Sequence, residues 1–120
     1  MSLARNIGNL PNGDDAPVFA CRAWVNFDGT TNTAGFCTIR DSGNVSTVAD
    51  NGTGDYTINF TTAMPDANYA VIGLSQYQNN AGQIIMEGPS DAGINSFKVY
   101  TKTNANVVTD AVFNSVAVFR

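Results

Sequence analysis

The feature that most constrains the fold is a repeated alternation of apolar and polar residues, interrupted by clusters of turn-forming residues. In DYTINFTT, Tyr56, Ile58 and Phe60 alternate with polar side chains, which predicts a half-buried β-strand. The preceding NGTG, residues 51–54, is rich in residues that tolerate positive φ and predicts a hairpin turn. About six to eight short segments of this kind predict an all-β antiparallel fold, a sandwich or a barrel, and we take the β-sandwich.

The chain of 120 residues has the length of one domain. Residues 1–15 show no periodicity and contain Pro11, Gly13 and paired aspartates. They are predicted to be an N-terminal arm or linker. Residues 16–120 are predicted to form a single β-sandwich domain.

The first predicted hairpin joins residues 18–27 to residues 36–42 through a loop at residues 28–35. Phe27 would then face Phe36, which leaves Cys21 and Cys37 too far apart along the strands for a disulfide bond. Synthesis in a cytosol also favours reduced thiols. We therefore expect two buried free cysteines.

Two segments are apolar on nearly both faces. Residues 69–77 (YAVIGLSQY) are predicted to be a strand that is central or covered on its second face. Residues 111–119 also fit a helical stripe, but their β-branched residues and Asn114 favour a strand.

Composition argues against several classes of partner. Charged residues are 13% of the chain, about half the usual share, and the net charge is −4. The six basic residues are scattered, so we expect no binding of nucleic acid. No apolar run reaches the length of a bilayer-spanning helix and no secretory signal begins the chain, so we expect no membrane insertion and synthesis in a cytosol.

The sequence offers little catalytic chemistry. Without histidine there is no Ser-His or Cys-His nucleophile pair, and two cysteines do not make a zinc site. No phosphate-binding glycine loop is present, and Glu87 is the only glutamate. The aspartates are expected to cap turns. We therefore expect a protein that is not an enzyme, with no catalytic residues, no metal and no cofactor.

The candidate ligand-binding residues are aromatic side chains beside neutral amides. Trp24 lies on the second face of the first strand, where packing in the core or in a subunit interface competes with stacking on a sugar. A predicted hairpin tip has the composition of a recognition loop, although an ordinary polar turn explains it as well. Its candidate residues are Tyr77, Gln78, Asn79 and Asn80.

The stretches CRAWVNFDGT and SGNVSTVADNGTGDYTINFTTAMPDANYAV resemble a module found near the C-terminus of tail-fibre-like virion proteins of bacteriophages and marine viruses. The resemblance covers residues 16–75. It implies a β-rich virion domain that forms a homo-trimer at or near a fibre tip and recognises a host surface, a saccharide or an outer-membrane component. The alternative is a purely structural trimerisation or decoration module without a ligand. No catalytic residues are carried over.

The same resemblance implies a location in the virion, assembled in the host cytosol and released by lysis. The apolar second faces of residues 69–77 and 111–119 would then pack against a neighbouring subunit. An enzyme such as a depolymerase fragment and a free-standing lectin are the competing interpretations.

Overall fold

The computed structural model describes residues 19–76 and 83–120, and in these residues eight antiparallel strands close into a barrel. Going round the barrel, the order is β1-β2-β3-β4-β7-β6-β5-β8. The strands are β1 Cys21–Thr33, β2 Phe36–Gly43, β3 Val45–Gly52, β4 Asp55–Phe60, β5 Ala70–Gln76, β6 Gln83–Ser90, β7 Ser96–Thr103 and β8 Phe113–Phe119.

The all-β, antiparallel prediction is confirmed, but the strands form a barrel rather than a sandwich. The reason is the position of β8, which pairs with β1 on one side and with β5 on the other. This pairing joins the two ends of the sheet and removes the free edges that a sandwich would keep. The segment at residues 111–119 forms strand β8, as predicted, rather than a helix.

Alternation along each strand fills the barrel with apolar side chains. Tyr56, Ile58 and Phe97 are fully buried, as expected for the inward positions of β4 and β7. The ring of Phe27 packs edge-on against Tyr56 at a centroid distance of 5.2 Å. The interior is therefore a packed core, as in other small barrels.

The first hairpin exists, but its predicted register is wrong. β1 continues to Thr33, and Ala34 and Gly35 make the turn with φ of 54° and 92°. Phe36 consequently pairs with Thr33, whereas Phe27 pairs with Ile39. Residues 28–33, which were predicted to belong to the loop, remain extended as the last part of β1.

Both cysteines are free, but only one of them is buried. Cys37 lies in the core, where burial raises the pKa of its thiol to about 12. Cys21 is exposed at the start of β1, so the prediction that it is buried is wrong.

The segment before β8 is held to β1, to β4 and to the turn before β4 by partly buried polar contacts. The Asp110 carboxylate accepts hydrogen bonds from the Gly54 amide and the Tyr56 hydroxyl, both at 2.8 Å. The Gly29 amide donates to the Ala111 carbonyl at 2.9 Å. Burial, and then the bond to Asp110, raise the pKa of Tyr56.

The predicted N-terminal arm at residues 1–15 lies outside the described residues. Within the ranges that are described, no helix is long and apolar enough to cross a membrane.

Candidate functional site: the outer face of β1, β8 and β5

Three neighbouring strands present an uncharged outer surface. On one level, Ala117 of β8 lies between Trp24 of β1 and Ile72 of β5. Two residues along, Ser115 lies between Asn26 and Leu74 in the same way. We call this surface the apolar face, defined by the outward side chains of Trp24, Asn26, Ile72, Leu74, Ser115 and Ala117.

The apolar face contains a groove of about 380 Å³. Ser115 and Ala117 have small side chains and form its floor, with Trp24 on one side. Ile72 and Leu74 form the opposite wall, which we call the ridge. The ridge residues are 62% and 75% exposed, and Leu74 is the most exposed large hydrophobic residue in the described strands.

The position of Trp24 depends on its cross-strand neighbour. Trp24 pairs with Gly43 of β2, and a Cβ at Gly43 would collide with the indole Nε1. The missing side chain therefore leaves room for the indole over the β2 backbone. The ring is held beside the groove while 41% of the residue stays exposed.

One end of the apolar face is bordered by Arg40. Its guanidinium lies 4.5 Å from the centre of the Phe113 ring and donates to the Asn26 side-chain oxygen at 3.0 Å. It also pairs with Asp28 at 3.5 Å. The Arg40 guanidinium therefore already has partners at this border of the apolar face. Its hydrogen bond holds the side-chain amide of Asn26 at the edge of the groove.

The other end is bordered by a second arginine pair. Arg120 donates through Nε and Nη2 to the two carboxylate oxygens of Asp66, at 2.9 and 2.8 Å. These bonds, followed by one from the Asn68 amide, lower the pKa of Asp66 to about 2. Arg22 is exposed in the bulge at the start of β1. None of the six residues that define the apolar face has a charged side chain.

The apolar face offers apolar surface to a partner or a ligand. Among the described residues near it there is no activated nucleophile. The burial that raises the pKa of Cys37 keeps its thiol protonated. Asp66 accepts a hydrogen bond from the Asn68 amide in the loop before β5, which confirms its predicted role in a turn. Asp28 and Asp50 accept from amides two residues further on in the same way, but they lie within β1 and β3 rather than in loops. Over residues 19–76 and 83–120, no group of His, Cys, Asp and Glu could hold a metal ion.

Of the predicted ligand residues, Trp24 lies on the apolar face. The other four, Tyr77, Gln78, Asn79 and Asn80, lie outside the described residues. The ridge was not singled out as a site in the sequence, although the apolar character of residues 69–77 on both faces was the signal that could have identified it. This segment was predicted to be central in the sheet or covered on its second face. β5 lies between β6 and β8, and its second face is exposed in the single chain.

Comparisons of the chain with protein-family models, curated proteins and solved structures found no match. The resemblance to tail-fibre-like virion proteins therefore has no support from these comparisons and enters below only as a proposal.

Proposed function

We propose that this chain is a non-enzymatic virion domain whose role is assembly, and that it forms a homo-trimer through the apolar face. The observation that carries the proposal is the exposed, uncharged surface on β1, β8 and β5. Contiguous apolar patches on the surface of soluble proteins are often binding sites. Association of copies would cover the second faces of β5 and β8.

The energy available from this surface matches the lower end of the cost of association. Burying the exposed fractions of Ile72 and Leu74, 62% and 75%, would contribute roughly 3 kcal/mol per copy. The 41% exposed part of Trp24 adds roughly 2 kcal/mol. The cost of associating each copy is about 4–15 kcal/mol. The assembly is therefore expected to be concentration-dependent.

The virion setting of the proposal rests on the resemblance of residues 16–75. A free, exposed thiol at Cys21 supports synthesis and assembly in a reducing cytosol, as expected for a virion protein released by lysis.

Trp24 provides a direct test because it is the single tryptophan of the chain. Its fluorescence emission is expected to move to shorter wavelength as the protein concentration rises, since assembly removes the indole from water. Emission that stays the same while the sedimentation coefficient also stays that of a monomer would refute assembly.

A second candidate function is recognition of a host-surface saccharide, favoured by the exposed Trp24 indole. A sugar ring could stack on the indole while Asn26 and Ser115 provide polar atoms at the groove. The Trp24→Ala variant would then lose binding to host cells or glycans without losing its fold. Phe36→Ala is the matched control, because Phe36 is 44% exposed and lies away from the groove. Equal binding by both variants and the wild type would refute this candidate.

A further inference from the structure

The tip of the β3–β4 hairpin contains an asparagine followed directly by a glycine, Asn51-Gly52. In such a pair the backbone nitrogen of the glycine can attack the side-chain Cγ of the asparagine, because no Cβ on the second residue hinders the approach. We propose that Asn51 is a deamidation site, that the folded hairpin slows the reaction, and that the product weakens the hairpin. This covalent change of the chain itself does not depend on the proposed function.

The backbone geometry of the hairpin requires the glycine that makes the site reactive. Gly52 has a φ of 144°, which residues with a Cβ rarely adopt. The register of the β3–β4 pair shifts between Asp50 and Gly52, so Asn51 has no residue opposite it. Asn51 is therefore the extra residue of a β-bulge, and it is exposed to solvent. A water molecule can reach the site without any movement of the barrel.

Hydrogen bonds engage both reacting groups while the hairpin is folded. The Asn51 Nδ2 donates to the Thr57 hydroxyl at 2.7 Å and to the Asp55 carboxylate at 3.1 Å, which fixes the side-chain amide against β4. The Gly52 amide donates to the Asp50 carboxylate at 3.1 Å. The Gly52 nitrogen must lose this proton before it can attack, and the negative charge of Asp50 disfavours the resulting anion. The reaction is therefore expected to proceed mainly when the hairpin opens.

The reaction consumes only water. The deprotonated Gly52 nitrogen forms a bond to the Asn51 Cγ, the bond from Cγ to Nδ2 breaks, and Nδ2 takes up a proton and leaves as ammonia. Water then hydrolyses the cyclic imide at one of its two carbonyl carbons. Hydrolysis at Cγ gives an aspartate, and hydrolysis at the main-chain carbonyl gives an isoaspartate, in which the chain continues through Cγ.

The product loses the contacts that hold the asparagine. A carboxylate only accepts hydrogen bonds, so it cannot replace the Asn51 amide as a donor to Asp55. Its charge would instead repel the carboxylates of Asp55 and of the neighbouring Asp50. Lys98, which lies opposite Thr57 in the ladder, is already in an ion pair. Deamidation therefore weakens the same contacts that slow it.

The first experiment follows deamidation of the full chain by mass spectrometry of proteolytic peptides, at one mildly alkaline pH. The rate at Asn51 is expected to be at least about tenfold lower in native buffer than in guanidinium chloride. Asn12, the other asparagine followed by glycine, is the chemical reference in guanidinium chloride, where both sites should react at similar rates. Equal rates at Asn51 in the two solvents would overturn the protection by the hairpin.

The second experiment removes one of the contacts. Thr57→Val deletes the closer acceptor and is expected to raise the rate at Asn51 in native buffer roughly fivefold. Thr47→Val is the matched control, since the Thr47 hydroxyl accepts from the Asn59 side chain in the same hairpin at 3.1 Å, away from the bulge. It should leave the rate at Asn51 unchanged. The same rate in both variants would show that the Thr57 contact does not protect the amide.

The third experiment tests the effect of the product. Asn51→Asp introduces the carboxylate directly, whereas Asn51→Ala loses the same hydrogen bonds without adding a charge. Asn51→Asp is expected to melt roughly 3 °C below Asn51→Ala at low salt. Added salt should reduce this difference, because the repulsion between exposed carboxylates is screened. Equal melting temperatures at low salt would overturn the weakening of the hairpin by deamidation.

Discussion

Removing the Tyr56 hydroxyl tests how β4 is tied to the segment before β8. The hydroxyl lies 2.8 Å from the Asp110 carboxylate and 3.0 Å from the Gly29 carbonyl oxygen. It has one proton, which we assign to the carboxylate because that oxygen is closer and charged. A hydrogen bond to a charged group contributes about 1.5–3 kcal/mol. Asp110 keeps its bond from the Gly54 amide, so we expect Tyr56→Phe to cost about 2 kcal/mol.

Tyr69→Phe is the matched control. The Tyr69 hydroxyl donates to a neutral acceptor, the Gly93 carbonyl, at the same distance of 2.8 Å. Its loss is expected to cost about 1 kcal/mol. In both variants the aromatic ring remains in the core, so no cavity is created.

Thermal unfolding followed by circular dichroism measures the difference. One kcal/mol shifts the melting temperature of a domain of this length by roughly 4 °C. Tyr56→Phe is therefore expected to lower it by about 8 °C and Tyr69→Phe by about 4 °C. A loss for Tyr56→Phe no larger than that for Tyr69→Phe would refute the assignment of its proton to Asp110.

Three further predictions concern Trp24 and the thiols. Gly43→Ala is expected to displace the indole of Trp24, which a shift in tryptophan emission would show; unchanged emission would contradict the close contact. At neutral pH a thiol reagent is expected to label Cys21 and spare Cys37, giving one adduct by mass spectrometry rather than two. Stability is expected to fall as the pH rises above about 9, because the unfolded thiol of Cys37 ionises near its ordinary pKa of 9.0 while the folded thiol keeps its proton until about 12. Urea midpoints at neutral and alkaline pH would measure this loss, and Cys37→Ala should reduce it.

Local pattern predicted the strands well but not their closure. Alternation of Tyr56, Ile58 and Phe60 identifies β4 and its buried side, because the period of two follows from strand geometry alone. The same alternation fits a sandwich and a barrel equally. Closure depends on which strands lie on either side of β8, and that choice is made by contacts between residues distant in sequence.

The hairpin register failed for a different reason. The segment DGTTNTAG contains turn-forming residues, yet most of it stays extended because side chains satisfy backbone groups there. The Asn32 side chain accepts from the Gly35 amide and the Thr31 hydroxyl accepts from the Thr38 amide. Propensity for turns placed the loop correctly but overestimated its length.

The site was only partly visible in the sequence. Trp24 could be selected because an aromatic residue on the second face of a strand needs an explanation. Its contact with Gly43 depends on the pairing of β1 with β2, and the groove depends on the pairing of β5 with β8. A local sequence pattern does not show which strands pair. The ridge could have been found from strand 69–77 only by asking what covers its second face.

Light scattering coupled to size exclusion on the unmodified chain tests the central claim most directly. Assembly through the apolar face predicts a mass of about 38 kDa at high concentration, three times the 12.7 kDa of one chain. A mass of 12.7 kDa at every concentration would show that the exposed face of β1, β8 and β5 does not bind another copy.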